Sequence, residues 1–314
     1  MGAYILKRLI SMIPVLFLVS LVVFFIVHLT PGDPALVMLG EEVNPTTLAA
    51  LRHDMGLDQP IPVQYVTWLS NVLRGDLGNS IKNHQPVLEA IVQRLPVTAE
   101  LTLLAMIISL VIAIPTGILS ATRRGSRSDL ISTTFALLGV SMPSFFLAIL
   151  LIFIFSLDLR WFPPIGFTPI IEDPIANIRG LVLPAITLGA ATAAIIARLT
   201  RSSLLEVLQL EYIRTARAKG LAERWVIYGH ALKNAMIPVI TIIGLQVGAL
   251  LGGAIITETI FVLPGVGRLA VDSIFTRDFP VLQGVVLFLS LVYLFVNLTV
   301  DVLYAYLDPR IHYG

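Results

Sequence analysis

The chain has 314 residues, of which 56% are hydrophobic and only 13% are charged, and its formal net charge is +1 at pH 7. A mean hydropathy of +0.89 is typical of a polytopic membrane protein and excludes an ordinary soluble domain. The near-neutral charge argues against nucleic-acid binding, which needs a larger basic excess. The absence of cysteine excludes disulfides, thiolate metal sites and cysteine nucleophiles.

The first predicted membrane span is the apolar run from Leu9 to Leu29, which follows the basic pair Lys7-Arg8. About 20 helical residues cross the hydrocarbon core, and no small-residue cleavage site follows the run, so we expect an uncleaved span. The region up to about residue 97 is mostly polar and rich in proline. We therefore expect residues 1–93 to form this membrane helix and a folded extracytoplasmic segment, residues 94–304 a transmembrane domain, and residues 305–314 a cytoplasmic tail.

Five further apolar runs bring the predicted number of spans to six. They are Thr98–Ser120, Ile131–Leu157, Leu181–Arg198, Pro238–Ile260 and Gly284–Leu303. Basic residues concentrate at the N-terminus, in the loop at 123–127 and between residues 198 and 233, whereas the loop at 158–180 carries only Arg160 and Arg179. The positive-inside rule therefore predicts that both termini and the segment at 202–237 are cytoplasmic.

The 202–237 segment is longer, more amphipathic and more basic than a simple connection between two spans. Its apolar residues recur at spacings of three and four up to Thr215, and Gly220 then interrupts the pattern after Arg217 and Lys219, as at the C-terminus of a helix. Helical spacing resumes from Ala222 to Asn234, so we predict a helix, a glycine turn and a second helix. The pattern alone fits either an interfacial hairpin on anionic lipid or an element that docks into a soluble partner.

The 202–237 segment also resembles the EAA loop of permease subunits of ATP-binding cassette (ABC) importers, especially the peptide/nickel (dipeptide/oligopeptide) branch. The similarity rests on Arg214-Thr215-Ala216-x-x-x-Gly220 and His230-Ala231-Leu232, and the stretches PGDP, GLDQPIPVQY, RGDLGNS and RDFPVLQG extend it along the chain. The general motif has Glu-Ala-Ala first and a proline where Lys233 stands, and this chain departs from it at both places. The resemblance implies ATPase-coupling roles for Arg214, Thr215, Ala216, Arg217, Lys219, Gly220, Leu221, Trp225, His230 and Leu232.

The same resemblance implies an all-α type I importer permease with six transmembrane helices, located in the plasma (cell inner) membrane. Its implied partners are a second homologous permease in a heterodimer, two ABC ATPase subunits, an extracytoplasmic solute-binding protein and membrane lipid. ATP and Mg would be used by the ATPase subunits, and no cofactor by this chain. The implied cargo is a di- or oligopeptide, with nickel, a nickel chelate or glutathione as alternatives. A membrane scaffold without transport activity is the alternative from another class.

Small residues in the predicted fifth span form a second candidate site. Gly244, Gly248 and Gly252 are spaced four apart, with Gly253 beside them and Gln246 near the middle of the span. Small residues at this spacing let helix backbones approach closely. The pattern fits ordinary packing within one bundle, whereas the resemblance favours a helix that borders the translocation pathway. Gln246 fits a pathway residue or a hydrogen bond between helices equally well.

Motifs of catalysis are missing from the sequence. There is no Gly-x-x-x-x-Gly-Lys-Ser/Thr loop for ATP phosphates, no His-Glu-x-x-His and no Gly-x-Ser-x-Gly. We also find no mid-span carboxylate or histidine together with an internal repeat, as a proton-coupled transporter would show. We therefore predict neither catalytic nor metal-binding residues in this chain, and any ATP hydrolysis belongs to another polypeptide.

Overall fold

The structure is a computed structural model that describes residues 2–29, 36, 44–54 and 56–307. In this part the chain forms helices and no strand; a single bridge pairs Asn79 with Pro86. The helices are α1 (Gly2–Leu29), α2 (Pro45–Asp54), α3 (Ile61–Leu73), α4 (Val87–Thr122), α5 (Arg127–Ser141), α6 (Ser144–Leu151), α7 (Pro174–Val207), α8 (Glu211–Ala218), α9 (Glu223–Trp225), α10 (Leu232–Ile260), α11 (Val266–Phe275) and α12 (Phe279–Leu307), with π-helical segments π1 (Ile152–Asp158) and π2 (Val226–Ala231).

The predicted all-α polytopic architecture is confirmed. Within the described residues, five helical stretches are long and apolar enough to cross a membrane: Ile5–Leu29, Val87–Thr122, Pro174–Val207, Glu223–Ile260 and Phe279–Val302. The pair Arg127–Ser141 and Ser144–Asp158 makes a sixth span if it is counted as one, although it is bent by 107°.

The third predicted span, Ile131–Leu157, is bent, whereas an unbroken apolar run predicts a straight helix. Met142, which precedes Pro143, has φ −80° and ψ 124°, because a proline ring excludes the α conformation from the residue before it. Pro143 itself then stands at the start of α6. The apolar run hid this break because the hydropathy of the sequence does not change there.

The helices extend beyond the predicted apolar runs at their ends. For example, α4 starts at Val87 rather than Thr98, and α7 starts at Pro174 rather than Leu181. The start of α7 is fixed by Asp173, whose carboxylate accepts hydrogen bonds from the backbone amides of Ile175 and Ala176 at 2.9 and 3.0 Å. The added stretches contain charged and amide residues, such as Glu89 and Arg94 in α4 and Asn177 and Arg179 in α7, which end an apolar run without ending the helix.

One compact unit comprises residues 98–263 and 296–307, and α7 is at its centre, packed against α5, α6 and α10. Helices α4 and α7 also approach closely. A Cβ built on Gly189 would lie 2.6 Å from Ser109 Oγ and 2.7 Å from the carbonyl oxygen of Ala105. Ser109 Oγ donates a hydrogen bond to the carbonyl of Gly189 at 2.8 Å. Glycine is therefore required at 189 for the approach of the two backbones.

A polar contact joins α4 to α10 in the same unit. Glu258 is fully buried, and Thr98 Oγ1 donates a hydrogen bond to its Oε1 at 2.6 Å. Burial of a carboxylate without a partner is costly, so this hydrogen bond gives α4 and α10 a specific register.

The other compact unit comprises residues 2–97 and 264–295. In it, α1 packs on α3 through Ser20 Oγ and the Tyr65 hydroxyl, 2.7 Å apart, and through an edge contact of Phe24 with Tyr65 at 5.3 Å. The buried Asp278, just before α12, accepts hydrogen bonds from Ser80 Oγ at 2.5 Å and from the amide of Ile81 at 3.1 Å. Asp278 thereby fixes the turn that precedes α4.

We expect Gly189→Ala to destabilise the protein by about 1–3 kcal/mol, because the added methyl must displace α4. Gly180→Ala on the same helix is the matched control, since its Cβ would meet only the carbonyl oxygen of Gly166 at 3.6 Å. Thermal unfolding of the purified chain in detergent measures both variants. Equal melting temperatures for the two variants would contradict the close approach at Gly189.

Candidate functional site

The 202–237 segment contains the predicted helix, glycine turn and second helix, but the first helix is shorter than the apolar spacing indicated. Leu204 and Leu205 belong to the end of α7, and residues 208–210 separate it from α8. The spacing continued across this break because both helices face one core. Leu204 of α7 and Ile213 of α8 are both fully buried in the same cluster of side chains.

Helix α8 has a buried face and an exposed face. Ile213 and Ala216 pack in the cluster that also contains Val226, Ala231 and Ala235. The buried face of α8 therefore contacts π2 and the start of α10. At the edge of this contact, Asn234 Nδ2 donates a hydrogen bond to the Tyr212 hydroxyl at 2.8 Å. Helix α8 is therefore in direct contact with π2 and with the N-terminal end of α10.

The turn after α8 is a Schellman motif. The amide of Gly220 donates to the carbonyl of Arg217 at 2.9 Å, and the amide of Leu221 donates to the carbonyl of Ala216 at 3.4 Å. Gly220 has φ +78°, and a Cβ built on it would have no neighbour within 4 Å. The chain therefore needs glycine here for the left-handed backbone conformation and not for space.

An ion pair spans the glycine turn. Arg217 Nη2 and Nε lie 2.7 and 3.2 Å from the two carboxylate oxygens of Glu223, so the contact is bidentate. This hydrogen bond raises the pKa of the Arg217 guanidinium. Both side chains are about half exposed, at 42% and 56%, so the pair contributes little free energy but orients the turn through its two-point geometry.

The outer surface of the segment mixes cationic and apolar side chains. Trp225 and Tyr228 are 59% and 60% exposed, and the Arg224 guanidinium lies 6.0 Å from the centroid of the Trp225 ring. Of the residues predicted to couple, Ala216 is buried and Leu232 is half-buried. The exposed ones are Arg214, Thr215, Arg217, Lys219, Gly220, Leu221, Trp225 and His230. An exposed surface with cations and aromatic rings fits docking to a soluble protein and also contact with anionic lipid.

The glycines of α10 face different neighbours. A Cβ on Gly244 would lie 2.5 Å from Val300 Cγ1 of α12, and one on Gly253 would lie 2.9 Å from Leu188 Cδ1 of α7. Gly248 is buried and Gln246 is half-buried, whereas Gly252 is exposed with no atom within 4 Å of its Cβ position. Gly244 and Gly253 thus pack within the chain, and a role of the set in a pathway stays a prediction.

A buried ion pair near the 202–237 segment was not anticipated from the sequence. Asp129, at the start of α5, accepts hydrogen bonds from Arg201 Nε and Nη2 at 2.8 and 3.0 Å and from the amide of Gly125 at 2.9 Å. The Ser120 hydroxyl also donates to Asp129. The cluster joins the end of α4, the start of α5 and the end of α7.

The sequence contains a weak signal for this cluster. Asp129 follows Ser126, which caps α5 through its side chain, so an acidic residue there reads as an ordinary first-turn residue. Arg201 reads as one more cytoplasmic cation. Nothing in the spacing joins two residues so far apart along the chain.

In the described part of the chain, no group of three or more His, Cys, Asp or Glu side chains is arranged to hold a metal ion.

Comparison with known proteins gives two family matches that together cover most of the chain. Residues 113–313 match the family described as binding-protein-dependent transport system inner membrane component, and residues 1–102 match the N-terminal region of such components. The chain is 45% identical over 333 residues to the dipeptide transport system permease protein of Alkalihalophilus pseudofirmus, with 100% of both chains covered. It is 46% identical over 310 residues to the glutathione transport system permease protein of Salmonella typhimurium, with 99% of each covered.

Two solved structures share the fold. The MetNI methionine ABC transporter in inward-facing conformations aligns with a TM-score of 0.58 at 18% identity, covering 70% of this chain and 96% of that chain. An amino acid ABC transporter crystallised with histidines aligns with a TM-score of 0.50 at 16% identity, covering 71% and 95%. At these identities the likeness concerns the fold alone.

We expect Asp129→Ala to lower the free energy of unfolding by about 3 kcal/mol, because Arg201 is left largely buried without its partner. Asp158→Asn, at an exposed aspartate, is the control and should be close to neutral. Thermal unfolding measures both, and the double variant Asp129→Leu with Arg201→Met should recover part of the loss. Equal losses for the single and double variants would show that the charge pair is not the cause.

Proposed function

We propose that this chain takes part in the import of a di- or oligopeptide. The chain belongs to the family of binding-protein-dependent transport system inner membrane components, and it is a permease subunit of an ABC importer. The dipeptide permease of Alkalihalophilus pseudofirmus, similar over the whole chain, supports this cargo. As a member of this family the chain is a multi-pass inner-membrane transport subunit and not a catalytic enzyme. The predicted resemblance to ABC importer permeases is thus confirmed.

Glutathione is the second candidate cargo. It is supported by the equally similar glutathione permease of Salmonella typhimurium. Glutathione is itself a small peptide, so one pathway of the same character would serve either substrate. Nickel, or a nickel chelate, is the further alternative from the sequence.

The proposed assembly pairs this chain with a second homologous permease, two ATPase subunits that use ATP and Mg, and an extracytoplasmic solute-binding protein. Both termini and the 202–237 segment lie in the cytoplasm in this proposal. The distribution of basic residues supports that orientation, and it puts the exposed surface of α8 on the side where ATP is available.

The proposed mechanism uses α8 as the element that an ATPase subunit moves. The exposed cations and Trp225 supply the docking surface, and the buried Ile213 and Ala216 fasten α8 to π2 and α10. Closure of the ATPase dimer would then shift α10 and α7 together. For this shift to drive transport, the ATPase must bind the segment with different affinity in the inward-open and outward-open states. The observation that carries the proposal is the two-sided contact of α8. One face of α8 is buried against π2 and α10, and its other face is exposed and carries charged and apolar side chains.

We expect Gly220→Val to uncouple ATP hydrolysis from uptake, because a β-branched residue at φ +78° is strained by about 1–3 kcal/mol. Gly220→Asn is the matched control, since asparagine tolerates the left-handed conformation and the space around the Cβ position is open. Uptake and ATPase activity are measured at matched expression. Normal uptake by the valine variant would refute the coupling role.

We expect cells that lack this chain to lose uptake of a labelled dipeptide and to regain it on complementation. The panel also contains a labelled pentapeptide, glutathione and nickel ion. Loss of glutathione uptake with dipeptide uptake intact would move the cargo to the second candidate. Loss of nickel uptake alone, or no loss for any of the four, would contradict the peptide proposal.

A further inference from the structure

Two adjoining cavities run along α4, α5 and α7. The larger has a volume of about 530 Å³ and a mainly aliphatic lining, and the smaller has about 170 Å³ and contains hydroxyl and guanidinium groups in its lining. They share Thr116, Ser132, Ala136, Ala194 and Ala197 as lining residues. The two cavities therefore form one groove, here called the amphiphilic groove, with an apolar part and a polar end.

The polar end of the amphiphilic groove is cationic. Arg198 and Arg201 both line it, together with the hydroxyl residues Ser132 and Thr133. Arg201 is held by Asp129, whereas Arg198 is exposed and makes no hydrogen bond or ion pair with the described residues. No Asp or Glu is among the described residues that line either cavity. An anionic group would find an uncompensated guanidinium and hydroxyl donors here.

The apolar part of the groove is lined by small residues on one side and by large apolar side chains on the other. Small residues of α7, such as Gly189 and Ala190, lie along it, and larger side chains such as Ile112 and Phe135 line it from α4 and α5. Phe135 is 69% exposed and Ile112 is 51% exposed. Both lie in or beside helices that are apolar enough to span a membrane, so a hydrocarbon chain is the natural contact for these surfaces.

We propose that the amphiphilic groove binds one anionic phospholipid, with its phosphate at Arg198 and an acyl chain along α5 and α7. Basic pockets between membrane helices attract anionic headgroups, and this groove adds an apolar channel that starts at the same point. A zwitterionic lipid would fill the apolar part equally well but would leave Arg198 without a net counter-charge.

The test uses the full-length chain, extracted together with its associated subunits and placed in nanodiscs of equal parts dioleoyl phosphatidylglycerol and dioleoyl phosphatidylcholine. After detergent washing, mass spectrometry counts each lipid retained per chain. We expect the wild type to retain phosphatidylglycerol in excess, and Arg198→Gln to lower that enrichment about fivefold. Arg198→Lys should keep most of it, and Arg124→Gln, outside the lining, is the matched control.

A second pair of variants tests the apolar part. Ala136→Phe, at the junction of the two cavities, should reduce retention of both lipids, and Leu130→Phe, exposed on the same helix and outside the lining, should not. Unchanged enrichment in Arg198→Gln would overturn the proposal. A second result would also overturn it: the wild type shows no lipid preference, and Ala136→Phe loses the associated subunits. The groove would then bind a helix of another protein and not a lipid. If Ala136→Phe does not fold, the three arginine variants still decide.

Discussion

The approach of α4 to α7 is the constraint on which the larger compact unit depends. Between membrane helices the lipid is as apolar as the side chains, so hydrophobic burial does not hold them together and close packing must do so. Gly117 and Gly189 permit that packing, since a Cβ at either position would come within 3 Å of the opposite helix. The hydrogen bond from Ser109 to the Gly189 carbonyl then adds direction to a contact that packing alone would leave free to slide.

The polar ends of these helices build on the same contact. Where α4 packs against α7, Arg201 of α7 donates hydrogen bonds to Ser120 of α4 and to Asp129 at the start of α5. These contacts join the three helices. The core cluster beside it combines Ile118 of α4 and Leu204 of α7 with Ile213 of α8. Thus the 202–237 segment, which carries the proposed docking surface, packs on the helices whose spacing the glycines determine. Exposed loop residues with function are commonly carried by a rigid scaffold of this kind.

Much of this architecture was predictable from the sequence, because the bilayer imposes long apolar runs and the 202–237 segment carries a specific motif. Gly220 was identified as a helix end from its neighbours alone, and its positive φ agrees with that interpretation. The bend at Pro143 was not predicted, because hydropathy is continuous through it. The Asp129–Arg201 pair was not predictable either, since it depends on which helices become neighbours, and single-sequence spacing contains no such information. The roles of Gly244 and Gly252 in a pathway remain predictions for the same reason.

The segment π2 lies inside a continuous helix from Glu223 to Ile260 and shifts the angular positions of the residues that follow it. A π turn contains roughly one residue more than an α turn, so residues on its two sides do not share the angular positions that an unbroken α-helix would give them. Trp225, Tyr228 and Leu232 are spaced three and four apart and would share one face of an unbroken α-helix, yet Trp225 and Tyr228 are exposed and Leu232 is half-buried. This helix can thus expose the side chains of its first turns and pack those of its later turns against neighbouring helices, with no loop between the two parts.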